Sequence, residues 1–226
     1  MAAFLPVTQQ ISSSAQQSRP AAAAAAGLSL GDVEERLIYD QHGAPTTFRS
    51  LFQSSRAIVV FVRNFLCYAC KEYVEDLSKI PQEALMDAEV RLVVIGQSSF
   101  SHIEAFCSLT GYQHEIYVDP ERHIFKKLGM RRGEEFTETA AKSPHVKSSM
   151  LMGSLKSMWR AMTSPAFDFQ GDPLQQGGAI IVGPGSDVHF AHSDMNRFDH
   201  APINQLLQLA GVQVIDFNRH PKIIDV

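Results

Sequence analysis

Residues 57–80 read Ala57-Ile-Val-Val-Phe-Val62-Arg63-Asn-Phe-Leu-Cys67-Tyr-Ala-Cys70-Lys-Glu-Tyr-Val-Glu-Asp-Leu-Ser-Lys-Ile80, and they decide the fold. Ala57 to Val62 is an unbroken apolar run rich in β-branched residues, the pattern of a strand buried on both faces. Beyond it, Cys70, Tyr73, Val74, Leu77 and Ile80 recur at helical spacing, while Glu72, Glu75, Asp76 and Lys79 fall on the opposite face. A second such run, Val90 to Ile95, follows. Strand, helix and strand in this order form a crossover unit, which predicts a parallel central pair.

The alternation continues on both sides. Arg36-Leu37-Ile38-Tyr39-Asp40 before Gln41-His42-Gly43 predicts a short strand entering a turn. Ile103, Phe106, Cys107 and Thr110 make a helical face stopped by Gly111, followed by the strand Glu115 to Val118, the turn pair Asp119-Pro120 and a helix through Leu128. Ala179 to Val182 and Val188 to His192 flank Gly183-Pro184-Gly185, a hairpin expected at a sheet edge. Pro202 to Ala210 closes the chain as a helix ended by Gly211. The fold class is therefore α/β, a central mixed sheet flanked by helices with an insertion before the late hairpin. In domain terms, residues 1–31 are a low-complexity tail and 32–226 one domain, with the insertion at about 133–178. That insertion carries a helix candidate from Ser149 to Met162, whose stripe Leu151, Leu155, Trp159 and Met162 either packs on its own domain or receives a partner.

A chain of 226 residues with a formal charge of −4 and interspersed charges lacks the basic footprint of a nucleic-acid binder or a membrane-surface protein. No run of 18 apolar residues occurs, so no spanning helix is expected. The Ser-, Ala- and Gln-rich start, with Arg19 as its one basic residue, reads as a disordered tail rather than a transit peptide. The cysteine count of 3 is too low for a secreted disulfide scaffold and leaves one thiol unpaired, which suits a reducing compartment, so a cytoplasmic location is expected.

Cys67 and Cys70 sit at the strand-to-helix junction. There the free N–H groups and the positive end of the helix dipole stabilise a thiolate, which makes Cys67 the nucleophile candidate. Cys70, one turn deeper on the inward face, is the resolving candidate. Arg63 and Lys71 flank the pair, either as charges that lower the thiol's proton affinity or as solvated surface groups. Two other readings of the pair are packing cysteines and half of a zinc site, the second lacking a further Cys-x-x-Cys or spaced His pair to complete four ligands. Cys107 reads as a core thiol. His189 and His192, three apart in a strand, point to opposite faces. Lys126, Lys127, Arg131 and Arg132 read as complements to a helix C-terminus rather than as an anion site.

The segment Phe61 to Leu77 resembles the redox segment of the peroxiredoxin-like 2 family, whose members carry the AhpC/TSA antioxidant-enzyme domain. The likeness extends through Val93-Val-Ile-Gly-Gln-Ser-Ser, Phe106-Cys-Ser-Leu-Thr-Gly-Tyr, Tyr117-Val-Asp-Pro-Glu-Arg and Lys127-Leu-Gly-Met-Arg-Arg-Gly, over roughly residues 33–220. It implies a thioredoxin-like fold and thiol antioxidant activity, with the family's Cys-x-x-Cys falling on Cys67 and Cys70. The chain departs from a typical peroxiredoxin in having Asn64 three residues before Cys67, where a threonine is expected. Ahead of the late strand it carries Gln176-Gly177-Gly178, where a peroxiredoxin has arginine and thioredoxin a cis-proline. Such losses remove electrostatic and orientational help from peroxide reduction more than from thiol–disulfide exchange.

The expectation is an oxidoreductase in which Cys67 attacks a peroxide or a protein disulfide and Cys70 closes an intramolecular disulfide, re-reduced by a cellular dithiol system. It requires no dissociable organic cofactor and no metal, and neither nucleic acid nor membrane as partner. The rival is a non-enzymatic, redox-sensitive regulatory or scaffold protein acting through protein partners.

Overall fold

The computed structural model describes residues 29–136, 142–148 and 171–217. Strand β3 (Arg56–Phe61) is its axis. It pairs in parallel with β4 (Val90–Gly96) on one side and antiparallel with β6 (Gly178–Val182) on the other. β4 continues in parallel to β5 (Glu115–Val118), and β5 meets the short hairpin β1 (Leu37–Tyr39) and β2 (Pro45–Thr47). β7 (Val188–Ser193) closes the other edge against β6, giving a seven-stranded mixed sheet in the order β2-β1-β5-β4-β3-β6-β7. The expected parallel pair, its crossover and the edge hairpin all appear; β2 went unforeseen because Pro45-Thr-Thr47 is too short and polar to carry a strand pattern.

Both faces of β3 and β4 are buried, as their uninterrupted apolar runs require. Ile58, Val60, Val62, Leu92, Val94, Ala179 and Ile181 face one layer of helices: α1 (Tyr68–Leu77), α2 (Gln82–Asp87), α3 (Ile103–Thr110) and α5 (Ile203–Ala210). Ala57, Val59, Phe61, Val93, Ile95, Ile180 and Val182 face the other layer, made by the 3-10 turn Phe48–Leu51 and helix α4 (His123–Lys127). On this second side Phe61 stands edge-on to Phe125 at 5.2 Å, and Phe48 edge-on to Phe52 at 5.1 Å. α3 ends where Gly111 adopts φ +70°, and its N–H bonds back to the Cys107 carbonyl.

The part of the insertion that is described returns to the body. Residues 142–148 lie along α1: His145 Nδ1 is 2.9 Å and Lys147 Nζ 2.8 Å from the buried Asp76 carboxylate, while Glu72 accepts the N–H groups of Lys147 and Ser148. Across the gap, Ile203 N–H donates to His145 Nε2 at 3.2 Å, tying α5 to α1 through this segment. The helix candidate at 149–162, with the Trp159 stripe, lies outside the described residues.

Candidate active site

The site forms where β3 stops. Val62 makes the last ladder bond, to the Ile95 carbonyl, and the chain then turns through Arg63-Asn64-Phe65-Leu66. Asn64 shapes this turn: its Oδ1 accepts the Leu66 N–H at 3.1 Å and its backbone carbonyl accepts the Cys67 N–H at 3.2 Å. The residue standing where a threonine was expected therefore builds the backbone instead of facing a substrate.

Cys67 is the N-cap of α1. Its backbone is extended (φ −65°, ψ 117°), its carbonyl accepts the Lys71 N–H, and its Sγ accepts the Cys70 N–H at 3.5 Å. A sulfur in this position takes the place of the side-chain oxygen that usually caps a helix, and an anion there meets the free N–H groups of the first turn. The Cys67 thiol is pulled down from the ordinary range to about 5: the hydrogen bond from the Cys70 thiol is the largest influence, burial opposes it, and the Arg63 charge and the Cys70 N–H assist. For Cys70 the effects reverse. Burial and the neighbouring thiolate push it well above the ordinary thiol range. Both cysteines are unbonded and buried, Cys67 8 % exposed and Cys70 0 %, so Cys67 is the less enclosed of the two.

The two flanking cations differ in role. Arg63 is buried and its guanidinium is held from three sides. Nε donates to the Gln175 carbonyl at 3.2 Å and Nη2 to the Pro173 carbonyl at 2.7 Å, while Nη1 lies 3.9 Å from Cys67 Sγ and 3.6 Å from Glu134 Oε1. Lys71 turns away and pairs with Glu75 along the helix. The positive charge expected from the late strand thus comes from the opposite direction, off the end of β3. Gln97 secures the wall: its side chain bonds the Arg63 carbonyl and, at 2.9 Å each, the Asp172 carbonyl and N–H, holding residues 172–175 over the guanidinium.

The late-strand sequence Gln176-Gly177-Gly178 has a steric reason. A Cβ on Gly177 would lie 2.0 Å from the Phe61 carbonyl oxygen and 3.1 Å from Asp194 Oδ2, so β3 and the start of β6 approach too closely for any side chain.

Sequence reasoning missed the charged groups that surround the pair. Glu134 bridges Arg63 and Arg197, meeting the latter at 2.7 and 2.8 Å; burial pushes its carboxyl up, but the two arginines outweigh this and hold it below the usual range. Behind the pair, fully buried Asp194 receives His200 Nδ1 at 2.8 Å and lies 3.3 Å from His192 Nε2. Burial would raise Asp194, yet the two imidazoles keep it low, and against its own burial His192 is raised to about 9, chiefly by Asp194. No motif links these residues; the one available signal was the spacing of His192 and Asp194, which puts them on one side of a strand. His189 goes elsewhere, bonding the Gly183 carbonyl. Cys107 lies half-buried on α3, its thiol raised by burial. The basic cluster is paired off: Lys127 with Asp32, Arg131 with Glu135, Arg132 with Asp172. No helix among the described residues is long and apolar enough to cross a membrane.

Residues 76–196 match the family model of the AhpC/TSA antioxidant enzymes. The match starts beyond both cysteines, so it speaks for the sheet and its later loops rather than for the thiols. Over the whole of both chains the sequence is 58% identical to peroxiredoxin-like 2C of Takifugu rubripes and 56% identical to that of Homo sapiens. Among solved structures, peroxidoxin BcpB of Mycobacterium tuberculosis superposes with a TM-score of 0.53 at 12% identity, covering 77% of this chain and 90% of that one, a likeness of fold alone.

Proposed function

The chain belongs to the AhpC/TSA antioxidant-enzyme family, within its peroxiredoxin-like branch, and from that premise we propose that it is a thiol-dependent oxidoreductase working through Cys67 and Cys70. The observation that carries the reading is the opposite treatment of two sulfurs one helical turn apart: Cys67 held as a thiolate, Cys70 held as a thiol beside it. The Cys67 thiolate attacks one oxygen of a peroxide and becomes a sulfenic acid, the departing alkoxide or hydroxide taking a proton from solvent to leave as alcohol or water; the Cys70 sulfur then displaces the sulfenic hydroxide, which leaves as water with the Cys70 proton, and the intramolecular disulfide forms. A cellular dithiol returns the pair to the reduced state, and no cofactor enters the cycle. The burial of Cys67, 8 % exposed, favours a small peroxide over a bulky protein disulfide as oxidant.

The same burial favours one alternative, a redox-sensitive regulatory protein whose Cys67–Cys70 state is read by a protein partner instead of being turned over. Hydrogen peroxide or an insulin-type disulfide, offered to the reduced full-length chain with a dithiol reductant, separates the two. Catalysis predicts steady turnover in the wild type, none in Cys67→Ser, and in Cys70→Ser, mixed without reductant, one equivalent of oxidant consumed before the reaction stalls. Absent or Cys67-independent turnover leaves the regulatory reading.

A further inference from the structure

We propose that His145 is an acid-sensitive latch: with its ring neutral it ties the first turn of α5 to α1, and with its ring protonated it lets that turn go. The device is separate from the thiol chemistry and does not depend on it.

The start of α5 needs an outside partner. Its N-cap, Pro202, has no side chain that can accept a hydrogen bond, so the Ile203 N–H must be satisfied from elsewhere. His145, 58 residues earlier, does this: Nε2 accepts the Ile203 N–H at 3.2 Å. A backbone N–H can only donate, so Nε2 carries no hydrogen. The one ring hydrogen sits on Nδ1, which donates to Asp76 Oδ2 at 2.9 Å. His145 is 5 % exposed and Asp76 1 %, so the bridge is shielded from water.

The polarity of this bridge sets His145 apart. His114, His189, His192 and His200 each turn a bonded ring nitrogen toward a carbonyl or carboxylate oxygen, and a second ring proton leaves such a bond in place. At His145 a second proton sets two N–H groups head to head and puts the imidazolium charge at the positive end of α5.

The groups around the ring favour the neutral form. From α1, Asp76 draws a proton in, but it is shared with Lys79, and Tyr73 stands edge-on at 5.7 Å. Lys147 of the same segment also pairs with Asp76, and Glu72 accepts the Lys147 N–H. His200 lies in the turn before α5, and Phe217, which follows Asp216, stands edge-on at 4.9 Å from the C-terminal side. Burial is the largest influence; with Lys147 and His200 it outweighs Asp76 and holds His145 below its ordinary 6.5. The closed latch therefore binds fewer protons than the open one, and opening grows easier as pH falls below 6.5. After protonation the ring keeps Asp76 as its counter-ion, and Lys147 and Ser148 keep their bonds to Glu72, so the part that separates is the turn at 200–203. That turn carries His200 and the Ala201 carbonyl, both of which rest on Tyr73 of the cysteine-bearing helix.

Hydrogen exchange of the full-length chain, read by mass on peptides covering Ile203 and corrected for the intrinsic pH dependence of exchange, measures the opening. Protection of the first turn of α5 should be constant above the ordinary histidine range and fall by up to about tenfold per pH unit below it, while peptides over α3 stay unchanged. His145→Gln keeps an acceptor on a side chain that takes no proton, and its protection should stay flat. Wild-type protection that holds down to about pH 5, or an equal fall in His145→Gln, overturns the proposal. Where the variant fails to fold, the wild-type ring followed by NMR decides: titration below 6.5 in step with the loss of protection supports the latch, and titration at or above 6.5 overturns it.

Discussion

The two faces of the sheet solve the same packing problem with different chemistry. On the face of Phe61, the core is aromatic and aliphatic: Phe48, Phe52, Phe61 and Phe125 interlock with Val59, Val93 and Ile95, and the buried Asp119 carboxylate at its margin caps α4 through the N–H groups of His123 and Ile124. On the face of Val60, the aliphatic floor is equally closed, but the layer above it buries Cys67, Cys70, Arg63, Asp76, His145, Asp194 and His200. Buried charge is costly unless each group is paired, and here each is compensated: Arg63 by Glu134 and two carbonyls, Asp76 by Lys79, His145 and Lys147, Asp194 by two imidazoles. One face holds the chain together; the other spends part of the stability so obtained on a tuned sulfur.

The sharpest way to break this division is Phe61→Ala. It removes a ring that touches both Phe48 and Phe125 and should lower unfolding free energy by about 3–5 kcal/mol in urea denaturation. The pH midpoint of Cys67 alkylation should stay at about 5, because the ring projects away from the sulfur. A midpoint that moved with stability would mean that the quiet face also sets the thiol.

On the other face, the midpoint itself should move. Cys70→Ala deletes the hydrogen bond that contributes most to the low value, and Arg63→Gln deletes the nearest positive charge, a smaller influence. Both should raise the alkylation midpoint, Cys70→Ala the further, and Arg63→Gln by about one unit. The reverse order would place the arginine first and reduce the neighbouring thiol to a packing residue.

These two experiments also mark what the sequence could disclose. Strand runs such as Ala57 to Val62, the helix stop at Gly111 and the Cys-x-x-Cys at a βα junction each rest on a local rule, and each stands in the structure where the local rule puts it. Arg63 was visible beside the thiols, but nothing local could tell a guanidinium held by Pro173 and Gln175 from one in water, since its partners lie more than a hundred residues away. Asp194 and His200 were invisible for the same reason. Their meaning comes from Gly177, whose missing side chain lets β3 and β6 close up and brings the end of β7 behind the cysteines. Gln176-Gly177-Gly178 looked like a site that had lost its arginine. In space it is the gap that admits a different set of charges.

In the wild type the smallest net effect is a balance of signs. His192, raised to about 9 by Asp194, contributes stability that is complete below its ordinary value of 6.5 and is lost as pH rises through about 9. Cys67, lowered to about 5 from an ordinary 9.0, contributes stability that is complete above 9 and is lost as pH falls toward about 5. Between about 6.5 and 9 the two slopes oppose each other, each at most about 1.4 kcal/mol per pH unit, and the wild type should be nearly flat. Removing either partner uncovers the other: His192→Gln should gain stability with rising pH across this window, and Cys67→Ser should lose it. Chemical denaturation at half-unit intervals would show two lines of opposite tilt. Two lines of the same tilt would mean that the imidazole and the sulfur do not titrate against each other across the Asp194 cluster.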